Sequence, residues 1–183
     1  TIGSKVAKIA HALGMHVIAT TESKKRGMLN DTTIVPFTTL LKKSDIVTLH
    51  VPLTKKTKYI INAKSLKLMK RGSYLINTAR GSLINTASVS NALKNGKLAG
   101  FAADVLEGEC ELKEAHQPLK QRHHEQCNWR LLRQTHKLLK KPNVLITPHI
   151  AFYTKESIDL ILKQTTVIIK AFEKGKLINN VIV

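Results

Sequence analysis

The strongest constraint in this chain is a repeated exchange between short apolar runs of strand length and helical stretches long enough to carry the backbone across a sheet. The runs are His16–Thr20, Ile34-Val35-Pro36, Asp45–Pro52, Ser73–Asn77, Leu98–Asp104 and Asn143–Thr147. Between them stand a small helix containing Leu40 and Leu41, a helix over Ala63–Met69, and a helix that Thr86 can cap and Gly96 can end. Strands joined by helices must pair in parallel through crossovers, which predicts α/β architecture: a doubly wound, mostly parallel sheet with helices on both faces. Asp45–Pro52, apolar until its proline, reads as a strand buried on both faces. No internal repeat interrupts the alternation.

The chain begins inside such a unit. After Thr1-Ile2-Gly3 it enters a helical pattern with Val6, Ala7, Ile9, Ala10 and Leu13 on one face, closed by Gly14. The expectation is an N-terminally truncated domain whose first strand is missing. Cys110–Lys141 loses the alternation in a polar, His-rich stretch, recovering as a helix over Trp129–Leu139, and reads as an insertion on a loop. Thr154 caps a long amphipathic helix with Ile158, Leu160, Ile161, Val167, Ile168 and Phe172 among its apolar positions. The expected organisation is one domain over 1–150, followed by a helix and tail over 151–183.

Composition fits this architecture. A chain of 183 residues with 43% hydrophobic but only 4% aromatic content suits a core of Val, Ile, Leu and Ala. Thirty Lys and Arg against twelve Asp and Glu give a formal charge of +18, which raises nucleic acid and membrane surfaces as partners. The lysines argue against both. Their pairs, Lys24-Lys25, Lys42-Lys43, Lys55-Lys56 and Lys140-Lys141, are scattered between apolar runs, with few aromatics for bases to stack on. A solvated basic surface accounts for them. Cys110 and Cys127 show no CxxC spacing, and there is no signal peptide or membrane-length apolar run, so a cytoplasmic location is expected. His116, His123, His124 and Cys127 lack the paired spacing of a zinc site, and no metal is expected. Trp129, Leu132 and Leu139 read as cover for a core.

In a doubly wound sheet, ligands lie across the carboxyl ends of the strands. Three such ends carry functional side chains: Asn77-Thr-Ala-Arg80-Gly81, Asp104-Val-Leu-Glu-Gly-Glu109 and Thr147-Pro-His149-Ile-Ala-Phe-Tyr-Thr154. Singly, each has an ordinary structural explanation. Together, an Arg, a carboxylate and a His beside a dinucleotide are what reduction of a 2-keto acid needs. The guanidinium can clamp the substrate carboxylate through two parallel hydrogen bonds. The imidazolium can give its proton to the carbonyl oxygen, with a carboxylate orienting the ring and raising its pKa.

These motifs resemble the cofactor domain of the D-isomer-specific 2-hydroxyacid dehydrogenases, over nearly the whole chain from Gly3. The resemblance implies Arg80 as ligand of the substrate carboxylate and His149 as acid/base. The interval from Arg80 (109 − 80 = 29) matches the family spacing to the partner of the His, which selects Glu109 over Glu107. Phe152 and Tyr153 resemble the substrate-pocket pair of the D-lactate dehydrogenase branch. The implied reaction is hydride transfer between a nicotinamide cofactor and a D-2-hydroxy or 2-keto acid, such as D-lactate and pyruvate. A substrate domain lying mainly before Thr1 and a homodimeric full-length form are implied too, with the chain inactive by itself. An NAD-binding, corepressor-like interaction protein on the same fold is the alternative.

The same likeness assigns the cofactor residues. Gly3 resembles the last glycine of a GxGxxG turn, with Thr1 and Ile2 before it. His50, Val51 and Pro52 resemble the adenosine side, although proline ending a strand explains that segment equally well. Thr78, Ala79 and Asp104 resemble residues around the nicotinamide. Where the family places an Asp for the ribose hydroxyls of NAD, this chain has Thr21 followed by Glu22. Glu22 can substitute, which favours NAD. Lys24, Lys25 and Arg26 just beyond leave NADP as the alternative.

Overall fold

Period-2 burial organises the larger sheet of the computed structural model, which describes residues 2–21, 32–107 and 129–176. The side chains of Trp129 and Leu132 lie outside that description. Two compact units divide the chain, one over 1–148 and one over 149–183.

In the first unit the order is α1 (Ile2–Ala12), β1 (Ile18–Ala19), β2 (Thr33–Ile34), α2 (Phe37–Lys43), β3 (Ile46–Leu49), α3 (Ala63–Leu68) and β4 (Ser73–Asn77). A 3-10 turn (Gly81–Leu83), α4 (Thr86–Lys94), β5 (Leu98–Ala103), α5 (Trp129–Leu139) and β6 (Val144–Ile146) complete it. Strands β3-β4-β5-β6 form a parallel four-stranded sheet in sequence order, and β1 pairs in parallel with β2 alone. The doubly wound α/β class expected from the sequence is therefore present, but the single sheet expected is two. In a doubly wound order the strand preceding the first helix lies between those that follow on either side. Here the edges of β1 and β3 facing that position have no strand partner among the described residues.

One face of the larger sheet is the core. Val47, Leu49, Leu75, Phe101 and Ala103 point into it and pack with Leu41, Leu66, Val89, Leu93 and Leu138 from α2 to α5. On the other face, Ile46, Tyr74 and Leu145 are 46%, 51% and 66% exposed. The expectation that β3 is buried on both faces is thus corrected: its burial alternates, because α2–α5 gather over one side while α1 buries no residue. Along α5, Thr135 and Leu138 are fully buried, with Leu139 half-buried.

Local signals fix the helix ends. Asn62 and Ser65 form a reciprocal capping box on α3. The cap of α4 is Asn85, not Thr86 as expected: the Asn85 carboxamide oxygen accepts from Ser88 N at 3.0 Å, and Thr86 is already in the first turn. Gly14, at φ 78°, ends α1 in the left-handed conformation that glycine adopts freely. In the second unit, α6 (Lys155–Glu173) is capped as expected by Thr154, whose Oγ1 accepts from Ser157 N at 3.2 Å.

Candidate active site

The chain beyond β4 turns on one buried side chain. Asn77 is fully buried, donates through Nδ2 to the Arg80 carbonyl at 2.9 Å and accepts at Oδ1 from Ala79 N at 3.1 Å. Thr78, Ala79 and Arg80 are thereby held in a tight turn at the carboxyl edge of the sheet. Arg80 is exposed, its guanidinium donating to the Ala79 carbonyl at 2.7 Å. The following residue leaves no room for a side chain: a Cβ on Gly81 would lie 1.9 Å from the Leu106 carbonyl oxygen. The Arg80 turn and the Asp104–Glu107 segment are thus in direct backbone contact.

Asp104, just after β5, is 4% exposed; its amide donates to the Asn77 carbonyl at 3.0 Å and its carboxylate accepts from the Thr147 hydroxyl. A carboxylate at this depth persists because it is hydrogen-bonded, and these bonds tie the ends of β4, β5 and β6 together.

Glu107 joins two further segments. One carboxylate oxygen accepts from the Tyr59 hydroxyl, and the other accepts from Thr86 N at 3.1 Å, in the first turn of α4 where negative charge is favoured. Tyr59 holds a left-handed backbone, φ 52°, uncommon outside glycine, and its own amide donates to the Ser82 carbonyl at 2.9 Å. The bond to Glu107, then burial, then the carboxylate charge push the Tyr59 hydroxyl above its ordinary pKa. A cavity of about 10 Å³, room for one water, is lined by Gly81, Thr86, Val105 and Glu107 among others.

At the start of α1, Gly3 and His50 meet. A Cβ on Gly3 would lie 3.1 Å from the His50 Cβ, so the first turn of α1 packs on the end of β3 at a distance only glycine accommodates easily. This close approach fits the helix start of a dinucleotide turn. His50 is half-buried, its Nε2 is 3.1 Å from Thr48 Oγ1, and burial lowers its pKa. Val51 is half-buried while Pro52 and Ile2 are exposed; Thr21, beyond β1, is exposed as well.

In the second unit, His149 takes a left-handed backbone, φ 56°, and its ring meets Phe152 edge-on at 6.1 Å between centroids; Phe152 meets Tyr153 likewise at 6.1 Å. Phe152 and Tyr153 are 50% and 70% exposed. Thr1, Glu22, Lys24, Lys25, Arg26 and Glu109 lie outside the described residues, as do His116, His123, His124 and Cys127. Among the described residues no group of His, Cys, Asp or Glu could hold a metal, and no helix is long and apolar enough to cross a membrane.

The structure therefore brings together Arg80, Ala79, Asp104 and the segment leading to Glu109, and separately Gly3 with His50. The supports that sequence reasoning missed are Tyr59, Gly81 and Glu107. Only Gly81 carried a signal, a glycine directly after the candidate arginine.

Comparison with known proteins bears on these residues. The family model described as D-isomer specific 2-hydroxyacid dehydrogenase, NAD binding domain, matches residues 1–151. A D-specific alpha-keto acid dehydrogenase of Enterococcus faecium is 41% identical over 159 residues, covering 86% of this chain and 45% of that protein. A glycerate dehydrogenase of Methylorubrum extorquens is 38% identical, covering 96% of this chain and 48% of that protein. Among solved structures, D-lactate dehydrogenase from Aquifex aeolicus complexed with NAD and lactic acid superposes with TM-score 0.82 at 38% identity, covering 95% of this chain and 51% of that one. The NAD-complexed D-isomer specific 2-hydroxyacid dehydrogenase from Lactobacillus delbrueckii ssp. bulgaricus gives TM-score 0.84 at 36% identity, covering 99% of this chain and 53% of that one. The chain spans about half the length of the curated relatives it matches.

Proposed function

The chain belongs to the D-isomer specific 2-hydroxyacid dehydrogenases, as their NAD-binding domain, and we propose that it is the cofactor half of an enzyme interconverting pyruvate and D-lactate. The observation that carries this reading is the contact of the Arg80–Gly81 turn with the Asp104–Glu107 segment at the carboxyl edge of the sheet. That contact sets the turn carrying the exposed Arg80 beside the segment leading to Glu109. NAD, when bound, supplies or accepts the hydride. The rest belongs to the protein's own groups.

Arg80 clamps the carboxylate of the keto acid by paired hydrogen bonds and so fixes which face of the carbonyl is presented. His149, as imidazolium, donates its proton to the carbonyl oxygen as the alkoxide forms, and Glu109 orients the ring and favours its charged form. Glu109→Gln then leaves the ring without its orienting carboxylate, and the rate of reduction falls. Phe152 and Tyr153 bound the pocket on the side of the small methyl group. Thr21 and Glu22 accept ribose hydroxyls, Gly3 admits the pyrophosphate at the start of α1, and His50 to Pro52 line the adenosine. NADH is accordingly preferred to NADPH. A substrate domain, a second subunit and a cytoplasmic location complete the proposed enzyme; exposed Leu160, Ile161 and Phe172 on α6 supply apolar surface for such contacts.

The test is a substrate panel. The enzyme carrying this chain is given NADH with pyruvate, glyoxylate or hydroxypyruvate, and the product's configuration is determined. Pyruvate as the preferred substrate with D-lactate as product supports the reading. Preference for glyoxylate or hydroxypyruvate overturns the lactate assignment alone, and an L-product overturns the reaction class.

A further inference from the structure

Parallel topology sends every crossover back to the same edge of the sheet, so the turns leading into the strands collect opposite the candidate active site. Lys42-Lys43 precede β3, Lys70-Arg71 precede β4 and Lys140-Lys141 precede β6. The remaining turn, at Gly96 before β5, contributes Lys97. The order β3-β4-β5-β6 places these turns side by side. With strands about 4.8 Å apart, the basic groups stand in a row about 14 Å long. Residues dispersed in the sequence become a line in the fold.

Hydrogen bonds hold the turns to one another. Tyr74 N donates to the Asp45 carbonyl at 2.8 Å, Gly72 N to the Lys97 carbonyl at 3.0 Å and Phe101 N to the Asn143 carbonyl at 3.1 Å. Arg71 Nη2 donates to the Asn95 carbonyl at 3.1 Å, crossing from the turn before β4 to the turn before β5. Lys97 Nζ reaches the Lys67 carbonyl at the end of α3 at 2.9 Å. The row is therefore built on a fixed platform.

Its charge survives the obvious offsets. Asp45, paired with Lys70 at 2.8 Å, is the one carboxylate of these turns among the described residues. Asp104 and Glu107, the unit's other described acids, stand at the carboxyl end of β5. Helices α2 to α5 end at this edge, and their carbonyl ends supply at most roughly half a negative charge each, about two in all. Seven basic side chains, less Asp45 and the helix ends, leave about four positive charges in the line.

We propose that this edge binds the phosphate backbone of double-helical nucleic acid without reading its bases. A line of cations carried on turns that hydrogen bonds hold together matches a run of phosphates, and Arg71 offers the planar fork suited to phosphate oxygens. Tyr74, 51% exposed, stands at this edge, and one ring does not provide the succession of stacking platforms that unpaired bases need, which favours the duplex over a single strand. No residue of the candidate active site takes part, so the proposal stands or falls apart from the dehydrogenase reading.

The experiment follows the anisotropy of a labelled short DNA duplex titrated with the full chain between about 50 and 200 mM salt. Neutralising about four phosphates predicts a log–log salt slope near −3.6 and an affinity loss on the order of 10²-fold across that range. Replacing Lys42, Lys43, Lys140 and Lys141 by Gln is expected to weaken binding at least about tenfold and flatten the slope to about half or less. Replacing Lys155, Lys163, Lys170 and Lys174, an equal charge on and just after α6, is expected to change affinity less than about twofold. Equal losses in the two variants, with unchanged circular dichroism, overturn the proposal in favour of diffuse charge. Absence of duplex binding overturns it too. So does binding to phosphatidylserine vesicles that depends on the row where duplex binding does not, which assigns the edge to a membrane surface.

Discussion

At Gly81 the two loops of the candidate site touch through backbone alone. A methyl group there would stand 1.9 Å from the Leu106 carbonyl oxygen and 2.5 Å from Glu107 N, and backbone cannot swing aside as the tip of a side chain can. Gly81→Ala should therefore destabilise the fold by about 1–3 kcal/mol, seen as a lower urea midpoint. It should also reduce keto-acid turnover more than NADH affinity, because the displaced segment leads to Glu109. An unchanged midpoint would break this account of the contact. Tyr59→Phe removes only the hydroxyl that Glu107 accepts; a hydrogen bond to a charged group predicts a loss of about 1–3 kcal/mol by the same titration, and no loss would show the bond to be dispensable. Arg80 and His149 were singled out because each stands in a motif whose chemistry is recognisable. Glu107 was passed over because spacing selected Glu109. Tyr59 gave no signal, since its left-handed backbone is imposed by Ser82 and its neighbours rather than by its own residue type.

Among the elements, β3 shows how apolar content misleads about burial. Ile46-Val47-Thr48-Leu49 reads as a two-sided strand, yet Val47 and Leu49 are buried while Ile46 and Thr48 are exposed, following which face the helices cover. Coverage is a tertiary fact that composition of the strand does not contain. The same holds for α4, where the sequence reading put the cap at Thr86 and the backbone geometry puts it at Asn85. What β3 positions is His50, against Gly3, and this gives a pH dependence. Burial disfavours the imidazolium, so the folded pKa lies below the ordinary 6.5 and the unfolded chain takes up the proton first as pH falls. The stability linked to His50 is full above about pH 6.5 and is lost as pH drops through the folded value. Melting temperature should accordingly fall more between about pH 7.5 and 5.5 in the parent chain than in His50→Gln. Equal falls would remove His50 as the cause.

For the whole molecule, the crossover rhythm made the α/β class readable, since parallel strands joined by helices leave few alternatives. The division into two sheets was not readable, because whether β1 and β3 find a strand between them depends on hydrogen-bond partners, not on their own residues. The helix faces of α1 and α6, with Ile9 62% and Phe172 70% exposed, were legible as amphipathic, but what they pack against is not encoded in their periodicity. The central claim is that a chain of this family carries its acid/base on His149, whose left-handed backbone is of the kind that clusters at functional sites. Single-turnover reduction of pyruvate by NADH in the enzyme bearing His149→Ala tests it most directly. The rate should fall on the order of 10² to 10⁴-fold while NADH affinity is unchanged, as loss of a positioned proton donor requires; reduction at the parent rate would contradict the claim.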